Sequence, residues 1–156
     1  PFLTFKSKVF LIIGNLFCNM LIGLINKHIP CNYYSAAKKQ IPFSLTNSMN
    51  NAINTLLGIL GTIVTFSALT SILKINHPLF IGIFEITNGI SKINTDEINA
   101  LFMTIIMLSF GGLSIIYQIK GILKEYKLDY TLYYKSRIIH LILFLILTFI
   151  YTKYYL

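Results

Sequence analysis

The sequence predicts an all-α fold: a polytopic transmembrane helix bundle with broken or re-entrant helices. Three observations carry that expectation. The 156 residues are 55% hydrophobic and only 12% charged, with mean hydropathy +0.71, whereas soluble domains carry about twice that share of charge. Apolar runs of spanning length recur along the chain, and about 20 such residues cross a bilayer core. Two apolar segments are interrupted, one by the acid Glu85 and one by Gly111-Gly112.

The first run, residues 9–25, reads as a spanning helix. Lys6 and Lys8 ahead of it imitate a signal peptide, but the run is long and no small-x-small cleavage site follows, so the helix is retained. Asn15 and Asn19 lie four apart and share a face, expected against a neighbouring helix. A polar loop follows to about Thr46, with Lys27, Lys38, Lys39, Pro30 and Pro42. Residues 1–48 thus form one unit, a helix plus a basic loop. The chain begins with Pro1 rather than Met, which reads as processing or as the carboxy-terminal part of a longer protein.

The second helix is expected over about 45–73. Asn47, Asn50, Asn54, Gly58, Gly61, Thr62 and Thr65 fall on it at helical spacing. Such a stripe faces protein, because small residues allow close approach and amides bond across helices. Helix packing and, at the Asn50/Asn54 end, solute lining both stand as readings.

Asn76-His77-Pro78 marks a turn and a helix start, since proline is tolerated in the first turn. The run that follows, 79–93, is short for a span. On a helix, Gly82, Glu85, Asn88 and Gly89 would share a face, so the segment reads as broken, half-length or tilted. Asn94 and Glu97 are spaced as a capping box opening a helix over 98–123. Gly111-Gly112 in its middle costs about 1 kcal/mol per glycine relative to alanine. The pair is either a close-packing contact or an unwound stretch whose backbone groups become ligands. Ser114 and Gln118 follow at i,i+4 on one face. A basic loop is expected over 120–137, then a last helix over 138–151, flanked by Arg137 and Lys153 with tyrosine belts.

The positive-inside rule would put both basic loops, 26–46 and 120–137, in the cytoplasm, while Lys6 and Lys8, across the first helix from the basic loop, pull the other way. That placement requires an even number of crossings between them, so 78–93 would have to be re-entrant.

A carboxylate at membrane depth is expensive, which makes Glu85 a functional candidate by default. Its two readings are a solute or proton ligand and a structural acid satisfied by helix-terminal amides. Catalysis is not expected: the apolar segments hold no nucleophile or metal motif, and Asp96 and Asp129 fall in polar connections. Cys18 and Cys31 lack zinc spacing, and His28, His77 and His140 read as interfacial or turn residues. Neither a metal nor another cofactor is expected. The formal charge of +8 sits at loops and helix ends, where it meets lipid headgroups rather than nucleic acid.

Two stretches together resemble a known family. Phe84-Glu85-Ile86-Thr87-Asn88-Gly89-Ile90, then Ser109-Phe110-Gly111-Gly112-Leu113-Ser114-Ile115 with Gln118, are similar to the sporulation integral membrane protein YlbJ family. Tyr130 and Arg137-Ile138-Ile139-His140 look like that family's carboxy-terminal end. The family carries the nucleoside-recognition, or Gate, domain of spore maturation proteins. The resemblance implies a Gate half-repeat over 49–156 and a substrate site of Glu85, Thr87, Asn88, Gly111, Gly112, Ser114 and Gln118. Gly112 or Leu113 stands where nucleoside transporters have a polar Asn. It further implies a small anionic solute, dipicolinic acid, moved across a mother-cell or forespore membrane. The implied partners are membrane lipid, the amino-terminal half of the same transporter core and a second copy in a homo-oligomer. Two rival readings are a non-transporting assembly protein and a hydrophobic subunit of a respiratory complex.

Overall fold

The computed structural model describes residues 3–28, 44–123 and 130–155. The expectations on Pro30, Cys31, Lys38, Lys39, Pro42, Lys124, Glu125, Lys127 and Asp129 lie outside these described residues. Among the described residues seven helices follow in order: α1 (Phe5–Asn26), α2 (Leu45–Ile72), α3 (Pro78–Phe84), α4 (Ile86–Ser91), α5 (Glu97–Phe110), α6 (Gly112–Ile122) and α7 (Tyr130–Tyr155). Among the described residues, four stretches are long and apolar enough to cross a membrane: α1, α2, α5 with α6, and α7. The chain is an all-α polytopic membrane protein.

Helix starts are set by local polar chemistry. The Thr4 hydroxyl accepts from the Ser7 amide at 3.3 Å, and Ser44 from the Asn47 amide at 3.4 Å, each satisfying a donor that an α-helix leaves free in its first turn. The expected Asn94/Glu97 capping box does not form. Asp96 caps α5 instead, accepting from the Asn99 amide at 3.1 Å. Glu97 is thereby free to reach α1, where its Oε1 accepts from the Thr4 amide, the Thr4 hydroxyl and the Ser7 hydroxyl at 2.9, 2.6 and 2.7 Å. The last helix is longer than its apolar run. Residues 130–137, expected as loop, are helical: Leu132, Lys135 and Arg137 continue a helix readily, and the Tyr, Lys and Arg side chains can snorkel at its end.

The core centres on α5, whose Ala100, Leu101 and Ile105 are fully buried. Against it pack Phe144 of α7 and Cys18 and Leu11 of α1. Gly14 permits this approach: a Cβ there would stand 2.8 Å from a Phe144 ring carbon. Phe10 stacks on Tyr151 with ring centroids 4.1 Å apart. Buried hydroxyls bond their own helices, Thr104 to the Ala100 carbonyl and Thr148 to the Phe144 carbonyl, both at 2.7 Å. Asn19 does the same, donating to the Asn15 carbonyl at 2.8 Å from an exposed position rather than reaching a neighbouring helix.

The ends of the bundle are fixed by cross-helix contacts. At one end, Thr4 and Ser7 meet Glu97, and Ser7 lies 3.4 Å from the Tyr151 hydroxyl. At the other, Asn26 donates to Ser136 at 3.1 Å and Lys120 lies over the Tyr130 ring. The start of α2 also belongs to this second end, since Asn51 and Asn54 share a cavity with Gly121 and Ile122 of α6. The positions flanking 29–43 and 124–129 therefore gather at the Ser136 end. The α3–α4 segment enters and leaves at the Glu97 end: His77 and Pro78 line one cavity with Asn94 and Asn99, and Asn76 lines another with Lys92. It is re-entrant, as the even-crossing argument requires.

Candidate functional site

The re-entrant segment turns on one residue. Glu85 has extended backbone angles (φ −144°, ψ 116°) between two helical stretches. Its amide closes α3 by donating to the Ile81 carbonyl at 2.8 Å, and its carbonyl opens α4 by accepting from the Gly89 amide at 3.0 Å. The side chain caps α4. Its oxygens accept from the Thr87 amide at 3.1 Å, the Asn88 amide at 2.6 Å and the Thr87 hydroxyl at 2.7 Å. Glu85 is 2% exposed, so these bonds offset the cost of burying a carboxylate and suit the positive end of a helix.

Gly82, Glu85, Asn88 and Gly89 consequently do not share one helical face, because the helix stops at Glu85. Gly82 and Gly89 instead meet backbone to backbone across the turn. A Cβ on Gly89 would stand 2.5 Å from the Gly82 nitrogen and 3.0 Å from the Pro78 carbonyl oxygen. Only glycine allows the two short helices to fold back this closely.

The second break is built from consecutive left-handed residues, Gly111 at φ 82° and Gly112 at φ 72°. Side chains other than glycine adopt that conformation at a cost of roughly 1–2 kcal/mol per residue. The Gly111 amide donates to the Met107 carbonyl at 2.8 Å, ending α5. Gly112 then opens α6 directly against the tip of the hairpin: a Cβ on it would lie 3.2 Å from the Gly82 carbonyl oxygen, 3.5 Å from the Ile86 nitrogen and 3.6 Å from the Phe84 carbonyl oxygen. The two interrupted segments thus cross at their interruptions.

The expected site residues divide accordingly. Glu85, Gly111 and Gly112 converge at the crossing. Ser114, in the first turn of α6, is fully buried and its hydroxyl has no hydrogen-bond partner. Thr87 is exposed apart from its bond to Glu85. Asn88 faces the other way, into a cavity of about 370 Å³ shared with Thr70, Ser71, Lys74 and Lys92. Gln118 does not join the crossing. Two turns further along α6, it donates to the Thr62 hydroxyl of α2 at 2.9 Å, so the stripe on α2 is used there for helix packing.

Two residues at the crossing were expected elsewhere. His140, expected at the membrane boundary, is fully buried and its Nδ1 lies 3.0 Å from the Ser109 hydroxyl, two residues before the glycine pair. Its periodicity with Phe144 and Thr148, both fully buried, is the signal that marks it as core. Arg137, taken as the flank of a helix, lies inside α7 with its guanidinium 3.1 Å from where a Gly111 Cβ would be.

These features define a class: a polytopic membrane protein in which a re-entrant helical hairpin crosses a discontinuous spanning helix. Compared with known protein families, curated proteins and solved structures, the chain matches none.

Proposed function

We propose that this chain forms half of a transporter core that moves a small anionic solute, dipicolinic acid, across a membrane surrounding the developing spore. The observation that carries the reading is the crossing itself, Gly112 against the Phe84 carbonyl and the Ile86 amide. Backbone that is not helical survives at membrane depth only where protein or a water-filled cavity covers it. Transporters use such broken helices to present half-helix ends and free backbone groups to a solute near the midplane. In this reading the amino-terminal half of the core supplies the opposite wall of the site. Glu85 closes the hairpin tip through three hydrogen bonds, so losing its carboxylate would loosen the tip beside the crossing.

The assembly reading draws on a different observation. Among the described residues, the Glu85 carboxylate accepts only from Thr87 and Asn88 of its own hairpin, which is what a purely structural acid requires.

Dipicolinate content of spores carrying Glu85→Gln, with membrane abundance measured alongside, separates the two. Loss of dipicolinate at normal abundance is the expected outcome. Normal dipicolinate content would sink the transport role of Glu85. A fall in abundance with unchanged flux per molecule would favour the assembly role.

A further inference from the structure

An apolar groove of about 480 Å³ runs between α3, α5 and α7. Phe80 and Ile83 of α3, Ile106 and Phe110 of α5, and Ile138 of α7 form its walls. All five are exposed hydrophobics, so the groove opens on the outer surface of the bundle, which in a bilayer faces acyl chains. Its lining includes Tyr133 and Arg137, one turn apart on α7, and His77 at the start of α3.

Tyr133 and Arg137 carry unmet bonding capacity. Arg137 Nε and the Tyr133 hydroxyl are buried and have no hydrogen-bond partner. The guanidinium lies 5.5 Å from the centre of the Tyr133 ring. Among the described residues every carboxylate is engaged elsewhere: Glu85 in its hairpin, Asp96 with Asn99, and Glu97 with Thr4 and Ser7. A buried donor without an acceptor costs about 1–3 kcal/mol, and more when it is charged. No described carboxylate is bonded to that guanidinium.

Depth and charge distribution indicate what meets its charge. Arg137 lies seven residues into α7, roughly 10 Å along it from the Ser136 end's outermost turn, within reach of a headgroup for a long side chain. Most of the chain's 13 Lys and Arg belong to that end and to the two segments leaving it, against Lys6, Lys8, Lys74, Lys92 and Lys153 at the other. That bias marks the Ser136 end as cytoplasmic, the side whose leaflet is rich in anionic lipid. A guanidinium fork fits two oxygens of a phosphate.

We propose that Arg137 and Tyr133 bind the phosphate of an anionic phospholipid whose acyl chain lies in the groove between α3, α5 and α7. The ligand is an amphiphile whose anionic group meets the Arg137 guanidinium and whose chain lies against the apolar walls. Arg137 also stands beside Gly111 of the crossing, but the proposed lipid contact uses neither Glu85 nor Ser114, so lipid retention can fail while dipicolinate content still depends on Glu85, and the reverse.

The test is native mass spectrometry of the full chain released from vesicles of phosphatidylcholine containing a minor fraction of phosphatidylglycerol. Phosphatidylglycerol is expected to be retained preferentially. Arg137→Gln should reduce that retention about fivefold, Arg137→Lys less, and Lys153→Gln at the far end not at all. Circular dichroism checks that the variants remain helical. If Arg137→Gln does not fold, Ile106→Trp fills the groove with the arginine in place and should expel the lipid equally. Equal retention of the two phospholipids, or retention unchanged in the folded Arg137→Gln or Ile106→Trp variants, overturns the proposal. So does displacement of the lipid by inorganic phosphate or dipicolinate, which would make the site one for a free anion.

Discussion

The hairpin crossing and α2 are built from comparably apolar sequence, yet they sit in opposite environments. Of the most apolar stretch of α5 and α6, 56% is buried within the chain, against 6% of the corresponding stretch of α2. Glycines show the same contrast. Gly82, Gly89, Gly111 and Gly112 each meet a neighbour where a Cβ would go, while Gly58 and Gly61 of α2 meet nothing within 4 Å. Hydropathy places both regions in the membrane, but it does not distinguish the centre of a bundle from its edge. The physical difference is close backbone approach, which the α3–α4 hairpin needs and α2 does not.

The largest expected effect tests that contrast directly. Gly89→Val drives a side chain into the Gly82 backbone, where nothing flexible can yield, and should destabilise the chain by about 3 kcal/mol or more. Gly58→Ala should be neutral or stabilising by up to about 1 kcal/mol, through helix propensity. Thermal unfolding in detergent measures both. Equal shifts would mean that the hairpin is not the packed centre of the fold.

Next in size is the cap at the hairpin tip. Glu85→Ala leaves the Thr87 and Asn88 amides without their acceptor and should cost about 1–3 kcal/mol, whereas Glu85→Gln keeps one acceptor oxygen and should lose less. Hydrogen exchange at those two amides reads the difference. Unchanged protection in Glu85→Ala would show that the carboxylate does not hold the tip.

The single side-chain bond between α2 and α6 should be weaker still. A double-mutant cycle of Thr62→Val with Gln118→Ala is expected to give a coupling of about 0.6 kcal/mol, the average for such bonds between membrane helices. A coupling several times larger would mean that α2 is anchored more firmly than its exposure implies.

The smallest effect concerns Asp96, outside the spans. The Asn99 amide, then the Asn99 side chain, holds its carboxyl below the ordinary range. A group with a depressed folded pKa contributes stability above its unfolded pKa and loses it as pH falls through the folded value. Fraying at the start of α5, followed by exchange at the Asn99 amide, should therefore increase only on acidification below the ordinary carboxylate range. Asp96→Asn should remove that dependence. A pH-independent amide in the unmodified chain would contradict the capping role.

Legibility in the sequence follows the range of the interactions involved. Spanning helices are readable because length and apolar content are local, and so are the two interruptions, because a buried acid and a glycine pair each carry a local cost. The re-entrant course of the α3–α4 segment was also within reach, through the parity of the two basic loops. Helix ends were less so: the true start of α7 at Tyr130 lies in residues that are polar yet good helix formers, and the cap of α5 falls on Asp96 because Glu97 finds Thr4 and Ser7 ninety residues away.

By itself, then, the sequence determined the class of the molecule, an all-α membrane bundle, and the two places where its helices break. Only the tertiary structure decided that the breaks touch, that Gln118 turns to α2, that His140 is core and that Arg137 stands beside Gly111. Those outcomes depend on which faces of separate helices meet. Helix periodicity specifies a face but not its partner, and in lipid, apolar burial favours no particular partner over another. The choice falls to close backbone contacts and a few polar bonds, which join residues far apart in the chain.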